Sequence, residues 1–447
     1  MSESQQATID SGIPATAKPL GLWMATALVV GSMIGSGVFL LPATLAPYGA
    51  ASLVGWGISL CGALLLAATF AKLAVHWPCT GGPYAYVRRS FGDGAGFAVA
   101  WSYWISIWSG MAAIAVAFAG SIGALFPVQT ATPLRGAACA LFALWVCTFI
   151  NLAGLREAGR LQIIVTALKL VPLLLFGLVA LWFVDAGNYV PFNPTGKTLP
   201  QVAGITVILT MWAFAGLEVA TVPAGAIRDP KHTIPRATLM GTLLAGIATI
   251  LACTAVLGLV PAATLAQSGA PMADAARQLW GPSAAIAIAV LAAVSTFGAI
   301  NGWVLVCAQV SLAAADDGLF PRRFARLDRN GTPVFGVLVG TGLASLMVIA
   351  NYSHSLVELF TFILLISTSA ILLPYAASSA AWLHSHGGNG GRVVAALALV
   401  YSIYALLGAG GEALAWGAVL LLAGLPVYLW MRHANRLTII AAHEPAA

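Results

Sequence analysis

The sequence predicts an all-α integral membrane protein of about twelve transmembrane helices, and three observations carry that prediction. Hydrophobic residues make up 60% of the 447 and charged ones only 8%, where a soluble domain carries roughly 25% charged residues. Apolar stretches of about 20 residues, each long enough to cross a hydrocarbon core of about 30 Å as a helix, recur along the whole chain. Lys and Arg gather in alternate connections between those stretches, the asymmetry that orients helices in a bilayer.

In order, the expected spans are 21–45, 50–75, 95–126, 136–154, 159–184, 201–226, 236–260, 281–314, 334–350, 356–382, 393–409 and 413–431. A polar tail, residues 1–20, precedes them. It lacks the basic segment, short apolar run and small-residue cleavage site of a removable signal, so the first span is expected to be retained. Fifteen of the 20 basic residues fall on one side of the spans, including Lys18, Arg156, Arg160 and Arg436. Arg135, Lys197 and Arg277 fall on the other, and Lys72 and Lys169 sit inside apolar spans. Both termini, including a tail at 432–447, are expected in the cytoplasm, with the chain in the cytoplasmic (inner) membrane. The arginine-rich loops account for the net charge of +6, which calls for no nucleic-acid partner.

The chemistry-bearing residues are sparse. Six cysteines (Cys61, Cys79, Cys139, Cys147, Cys253, Cys307) are scattered without CxxC or Cys/His ligand spacing, so neither a disulfide nor a metal is expected. The sequence has no GxxxxGK[ST], HExxH or GxSxG pattern; no cofactor and no enzyme activity are expected. HSHGGNGG at 384–391 reads as a flexible connection. Asp316 and Asp317, close in sequence to Arg322 and Arg323, read as a solvated ion-pair cluster of little energetic weight.

Two spans carry weak points. GSMIGSG at 31–37 places three glycines and two serines near the middle of the first span, and MWAFAGLE at 211–218 places Ala215-Gly216 near the middle of the sixth. Gly31 and Gly35 have GxxxG spacing, which close helix packing alone would explain. Glycine-interrupted spans at matching places in two halves point instead to an inverted-repeat transporter with its site at the midplane. Helices 1–5 (about 21–184) and 6–10 (about 201–382) then form a ten-helix core, with helices 11–12 (393–431) peripheral. A half-helix starting at Ser36-Gly37 offers unpaired N–H groups to a carboxylate. Carbonyls opened around Met33, Trp212 and Ala215 suit an ammonium group, so the pair of breaks reads an α-amino acid.

GSMIGSGVFLLPA (31–43), GGPYAYVRRSFG (81–92), MWAFAGLEVA (211–220), RDPKHTIPRAT (228–238), NGWVLVCAQ (301–309) and AADDGLFPRRFAR (314–326) resemble the amino acid–polyamine–organocation transporters, and among them the basic amino acid/polyamine antiporters of the arginine–agmatine type. The resemblance implies a LeuT-like five-plus-five inverted repeat with broken helices 1 and 6, commonly as a homodimer in the lipid bilayer. It matches Ser36 and Gly37 to the carboxylate-binding turn, and Met33, Trp212 and Ala215 to the ammonium-binding carbonyls. Trp303 matches a tryptophan that stacks on the substrate side chain, a cation–π contact of about 0.5–2 kcal/mol. Tyr103, Trp212, Glu218 and Tyr375 match gating or coupling residues, Phe360 and Ser367 line the path, and Tyr84 matches a tyrosine tied to pH response.

The departures bear on substrate. Met111 stands where the arginine exchangers have an asparagine, Ser106, Ile107 and Ile114 replace other pocket residues, and Ser32 replaces the asparagine of the first unwound turn. A lost amide removes a hydrogen bond of about 0.5–1.5 kcal/mol. Lys169 lies in TALKLVPLL at bilayer depth, where a lysine costs about 2.5–3.5 kcal/mol. It either snorkels to the surface or braces helix 5 against the broken helix 1, and a desolvated lysine is a candidate for proton coupling. Glu218 has a bland reading as a carboxylate satisfied by backbone, Tyr84 as a loop anchor. The expected function is secondary-active antiport of an amino acid, arginine against its decarboxylated amine, by alternating access. The alternatives are a proton-coupled symporter of neutral amino acids using Lys169, and a substrate-gated channel or sensor.

Overall fold

The structure, a computed structural model, describes residues 20–443 except 79–80, 154, 223, 225–226, 330 and 386–388. The N-terminal tail with Lys18, Cys79 and residues 444–447 lie outside the described residues, as do the side chains of Arg156, Arg160 and Arg436.

The first span is two helices, α1 (Leu22–Met33) and α2 (Ser36–Leu45). The next four are α3 (Ser52–His76), α5 (Asp93–Leu125), α6 (Pro133–Ala153) and α7 (Leu155–Ala180), with a short amphipathic helix, α4 (Pro83–Phe91), between α3 and α5. The sixth span opens with α8 (Leu199–Met211), and the seventh is α9 (Pro230–Leu259). A second short helix, α10 (Pro271–Trp280), precedes the eighth span, α11 (Pro282–Asp316). α12 (Val334–Ala350), α13 (Leu356–His384), α14 (Asn389–Leu407) and finally α15 (Gly410–Leu422) with α16 (Gly424–His443) complete twelve spans among the described residues.

Four expectations need correction. The sixth span does not run as a helix to 226: beyond Met211 the chain makes only 3₁₀ turns, Trp212–Phe214 and Val219–Thr221, among the described residues before Pro230. Hydropathy stays high through that stretch because it is buried, not because it is helical. The HSHGGNGG connection is shorter than expected, since His384 ends α13 and Asn389 already begins α14. The C-terminal tail expected from 432 is helical as far as His443. α9 begins at Pro230 rather than 236, with proline at the first helical position where its missing N–H costs nothing.

The helices pack as an inverted repeat requires. α5 is the central helix, 94% of its most apolar window being buried, against 11% for the last span. α5 packs on α11 and α3 on α9, each pairing a helix with its counterpart in the other half. Further contacts within the ten-helix core come in matched pairs: α1 on α9 and α8 on α3, α7 on α11 and α13 on α5, α1 on α7 and α8 on α13. The duplication also shows locally. α4 and α10 both start on proline, run nine and ten residues, and end on a glycine that begins the long helix α5 or α11. These glycines, Gly92 (φ 84°, ψ −177°) and Gly281 (φ 82°, ψ −173°), occupy a region open essentially to glycine alone.

The collars α4 and α10 are fastened differently. Arg88 of α4 pairs with Asp93 (2.7 Å) and with Asp317 at the end of α11 (2.9 Å), and Tyr84 donates to Asp317 (3.1 Å). Asp317 therefore pairs with Arg88 across the fold instead of with its sequence neighbours Arg322 and Arg323. On α10, Asp274 accepts a hydrogen bond from the Ser268 hydroxyl. Neither Gly92 nor Gly281 has an atom within 4 Å of where a methyl would stand, so replacement costs backbone strain alone. Gly92→Ala and Gly281→Ala are each expected to lower stability by about 1–3 kcal/mol, read as a drop in the melting temperature of the purified protein in detergent.

Candidate functional site

The first break falls between two helices whose ends face each other. α1 closes at Met33, Ile34 (φ −80°, ψ 87°) and Gly35 (φ −127°, ψ −125°) leave helical geometry, and α2 opens at Ser36. No side chain caps α2, so the first-turn N–H groups of Ser36, Gly37 and Val38, which have no intrahelical partner, aim at the gap with the positive end of the dipole behind them. The Met33 carbonyl accepts from Gly35 N–H (3.0 Å) and retains a second lone pair. The second break follows α8: Ala215 is extended (φ −62°, ψ 131°), and Gly216 at φ 97° turns the chain through the left-handed region. The Trp212 carbonyl accepts from Ala215 N–H at 3.2 Å.

The two breaks touch. Trp212 donates its indole N–H to Ser36 Oγ (3.0 Å), and Ser32 Oγ lies 3.1 Å from the Gly216 carbonyl and 2.8 Å from that of Val29. The rings of Trp212 and Trp303 meet with centroids 5.7 Å apart. Gly110 fits against both, for a methyl there would come within 2.5 Å of the Trp303 ring and 3.0 Å of Trp212. Sequence reasoning missed this residue, whose only signal was its place next to Met111 on a span otherwise rich in large side chains. Ser106, Ile107 and Met111 lie buried on the same helix. Ser106 Oγ donates to the Tyr103 carbonyl (2.7 Å), and Ser367 Oγ of α13 donates to the Ser106 carbonyl (2.6 Å). Phe360 is buried near the start of α13.

Two charged side chains are buried among the described residues, Lys169 and Glu218. Lys169 reaches from α7 to the first break, where its ammonium donates to the carbonyls of Gly31 (2.6 Å) and Ile34. It does not snorkel: it is 1% exposed. Glu218 sits below the second break, accepting from Tyr103 of α5 (2.6 Å) and Tyr375 of α13, and the Tyr375 oxygen in turn accepts the Gly216 N–H (3.3 Å). Tyr84 is buried on α4 at the arginine-rich face, bonded to Asp317. The start of the first span is tied to the segment after the sixth, Arg228 N–H donating to the Leu20 carbonyl at 2.9 Å. All the residues expected from sequence at the site are buried; Met33, Ser36, Gly37, Trp212 and Ala215 lie at the two breaks, and Lys169, Tyr375 and Trp303 contact them.

Because Tyr375 serves both Glu218 and the Gly216 backbone, while Tyr103 serves Glu218 alone, Tyr375→Phe is expected to destabilise the protein more than Tyr103→Phe. Each leaves a buried acceptor short of a donor, a loss of about 1–3 kcal/mol, and thermal melting in detergent ranks the two.

An amino acid permease family model matches residues 20–389. The chain is 33% identical to the cadaverine/lysine antiporter of Escherichia coli (strain K12) over 431 residues, covering 94% of this chain and 97% of that protein. It is 30% identical to the putrescine transporter PotE of Haemophilus influenzae, covering 93% and 97%, and 28% identical to the same-named transporter of Escherichia coli (strain K12). With its broken helices and inverted repeat, the chain belongs to the amino acid permease family of the amino acid–polyamine–organocation superfamily, and is a membrane transporter rather than an enzyme.

Proposed function

We propose that the chain is a secondary-active antiporter of the cytoplasmic membrane, exchanging a basic amino acid for its decarboxylated amine by alternating access. The transport core is 21–382, residues 393–431 are peripheral, both termini are cytoplasmic and the assembly is a homodimer. The observation carrying this reading is the pair of facing helix breaks. The first-turn N–H groups at Ser36 and Gly37 would hold a carboxylate, and the carbonyls of Met33, Trp212 and Ala215 an α-ammonium.

The substrate side chain is assigned from hydroxyl bookkeeping. Ser106 and Ser367 each donate their one hydrogen to a backbone carbonyl, so what their oxygens can still offer is acceptance. That suits a group that only donates, a terminal cation, and the face of Trp303 adds cation–π attraction. The arginine–agmatine exchange expected from the resemblance meets this requirement, as does the lysine–cadaverine exchange named for the Escherichia coli relative. A guanidinium brings five N–H donors and an ammonium three. With apolar Ile107 and Met111 beside two hydroxyls, the ammonium is the easier group to satisfy, and lysine with cadaverine is the better fit.

Exchange follows from the wiring. Substrate bridging both breaks would hold the two halves together while they rock, whereas an empty site leaves N–H and carbonyl groups unsatisfied in the intermediate. Glu218 with Tyr103 and Tyr375 would close the arginine-rich side, Phe360 the other, and Tyr84 would link closure to pH through Asp317. Lys169 braces the first break, and a proton-coupled symport of neutral amino acids is the second reading that its position favours.

Reconstituted protein is expected to take up labelled lysine into liposomes loaded with cadaverine, less arginine into liposomes loaded with agmatine, and neither into empty vesicles. Uptake into empty vesicles driven by a pH gradient would sink antiport in favour of symport. Trp303→Leu is expected to weaken lysine binding about two- to thirty-fold, the span of a lost cation–π contact. Lys169→Ala is expected to abolish most transport; uptake equal to wild type from about pH 5 to pH 8 would remove the lysine from both schemes.

A further inference from the structure

On the face opposite the arginine-rich loops, a groove of about 640 Å³ opens between the end of α5 and the start of α6. Phe118 and Ile122 form its floor, Val128 and Gln129 of the intervening turn one wall, and Arg135 with Phe142 the other. Arg135, Cys139 and Phe142 recur along one face of α6, so the wall descends about 10 Å from a guanidinium to a phenyl ring. Val128 and Phe142 are each 67% exposed, and Leu134 and Phe149 beside them 66% and 62%, so no other described helix of the chain covers this face.

The charge at its mouth lacks a counterpart. Arg135 stands in the first turn of α6, where the helix dipole is itself positive and no acidic residue offsets it. Its guanidinium donates to the Val128 carbonyl (3.0 Å), which fixes it across the groove and leaves other N–H groups to give. Among the described residues no carboxylate pairs with it. Glu358, at the start of the neighbouring α13, is engaged by the Ser355 N–H and hydroxyl in a capping box.

We infer that this groove holds one anionic phospholipid of the outer leaflet, its phosphate on the Arg135 guanidinium and an acyl chain laid along Phe118, Ile122, Cys139 and Phe142. Cation above and apolar trough below match the two ends of such a lipid, as neither a free anion nor a neutral lipid does. The groove is built on the outer end of α5, the helix that carries Ser106, Gly110 and Met111, and Phe118 there meets Phe297 of α11 (6.1 Å). An occupied groove would therefore stiffen the central helix pair.

The full-length protein, delipidated in detergent, tests this by native mass spectrometry and thermal melting with phosphatidylglycerol, with phosphatidylcholine of the same acyl chains, and with glycerol 3-phosphate. Phosphatidylglycerol is expected to bind and raise the melting temperature, the other two not. Arg135→Gln should weaken phosphatidylglycerol binding about fivefold, the worth of one basic residue at an anionic interface. Lys197→Gln, on the same face but outside the groove, should change nothing. Equal binding of phosphatidylglycerol and phosphatidylcholine by wild type, equal protection by glycerol 3-phosphate, or an Arg135→Gln protein that binds as wild type does would overturn the assignment. Should Arg135→Gln fail to fold, Phe142→Ala must weaken phosphatidylglycerol binding, and its failure to do so would also overturn it.

Discussion

A helix broken in the middle of a bilayer leaves peptide groups that water cannot reach, and this molecule gives several of them partners while the first-turn N–H groups at Ser36 and Gly37 stay open toward the gap. In hydrocarbon surroundings an unsatisfied N–H or carbonyl costs several kcal/mol. At the first break the Gly31 and Ile34 carbonyls receive the Lys169 ammonium, and Ser36 receives the Trp212 indole. At the second, the Gly216 carbonyl faces Ser32 and its N–H finds Tyr375. The partners come from helices α1, α7 and α13 and from the turn that follows α8, the elements the fold places around the gap.

These bonds form a continuous thread. From Lys169 it passes into the first unwound turn, across Ser32 to Gly216, through Tyr375 to Glu218 and on to Tyr103 of α5. The two buried charges thus belong to one network in which hydrogen bonds alternate with short stretches of backbone, Lys169 held by carbonyls of the first break and Glu218 by two tyrosine hydroxyls. Burying an ionised group is tolerable only with such pairing, so the charges and the breaks depend on each other.

Much of this was legible in the residues. Glycine and serine in the first span mark the break at Ile34-Gly35 because helix interiors disfavour them, whereas the depth of Lys169 left snorkelling and bracing both open until its burial against the first break decided between them. What the sequence hid were pairings across distance. Asp317 has arginines five and six residues away, yet the fold delivers Arg88 from over two hundred residues upstream. The sixth span was expected to carry on to 226 beyond its weak point because burial, not helicity, keeps its residues apolar past Gly216. Gly110 carried no periodic signal, since its role is to be absent where two indoles need room. The Pro-to-Gly collars at 83–92 and 271–281 were not read as a pair, and only their shared helix geometry shows the internal duplication there.

Those two collars are alike in shape and unlike in fastening. The one at Pro83–Phe91 is held to α5 and to the end of α11 by ion pairs of partly exposed groups, Arg88 with Asp93 and Asp317, and such pairs weaken as dissolved ions screen them. Its twin at Pro271–Trp280 is held by a neutral hydroxyl on Asp274, which screening touches less. A symmetric scaffold has in this way acquired a sidedness: the ionic composition of one compartment can loosen one rim of the protein while the other rim stays indifferent to its own.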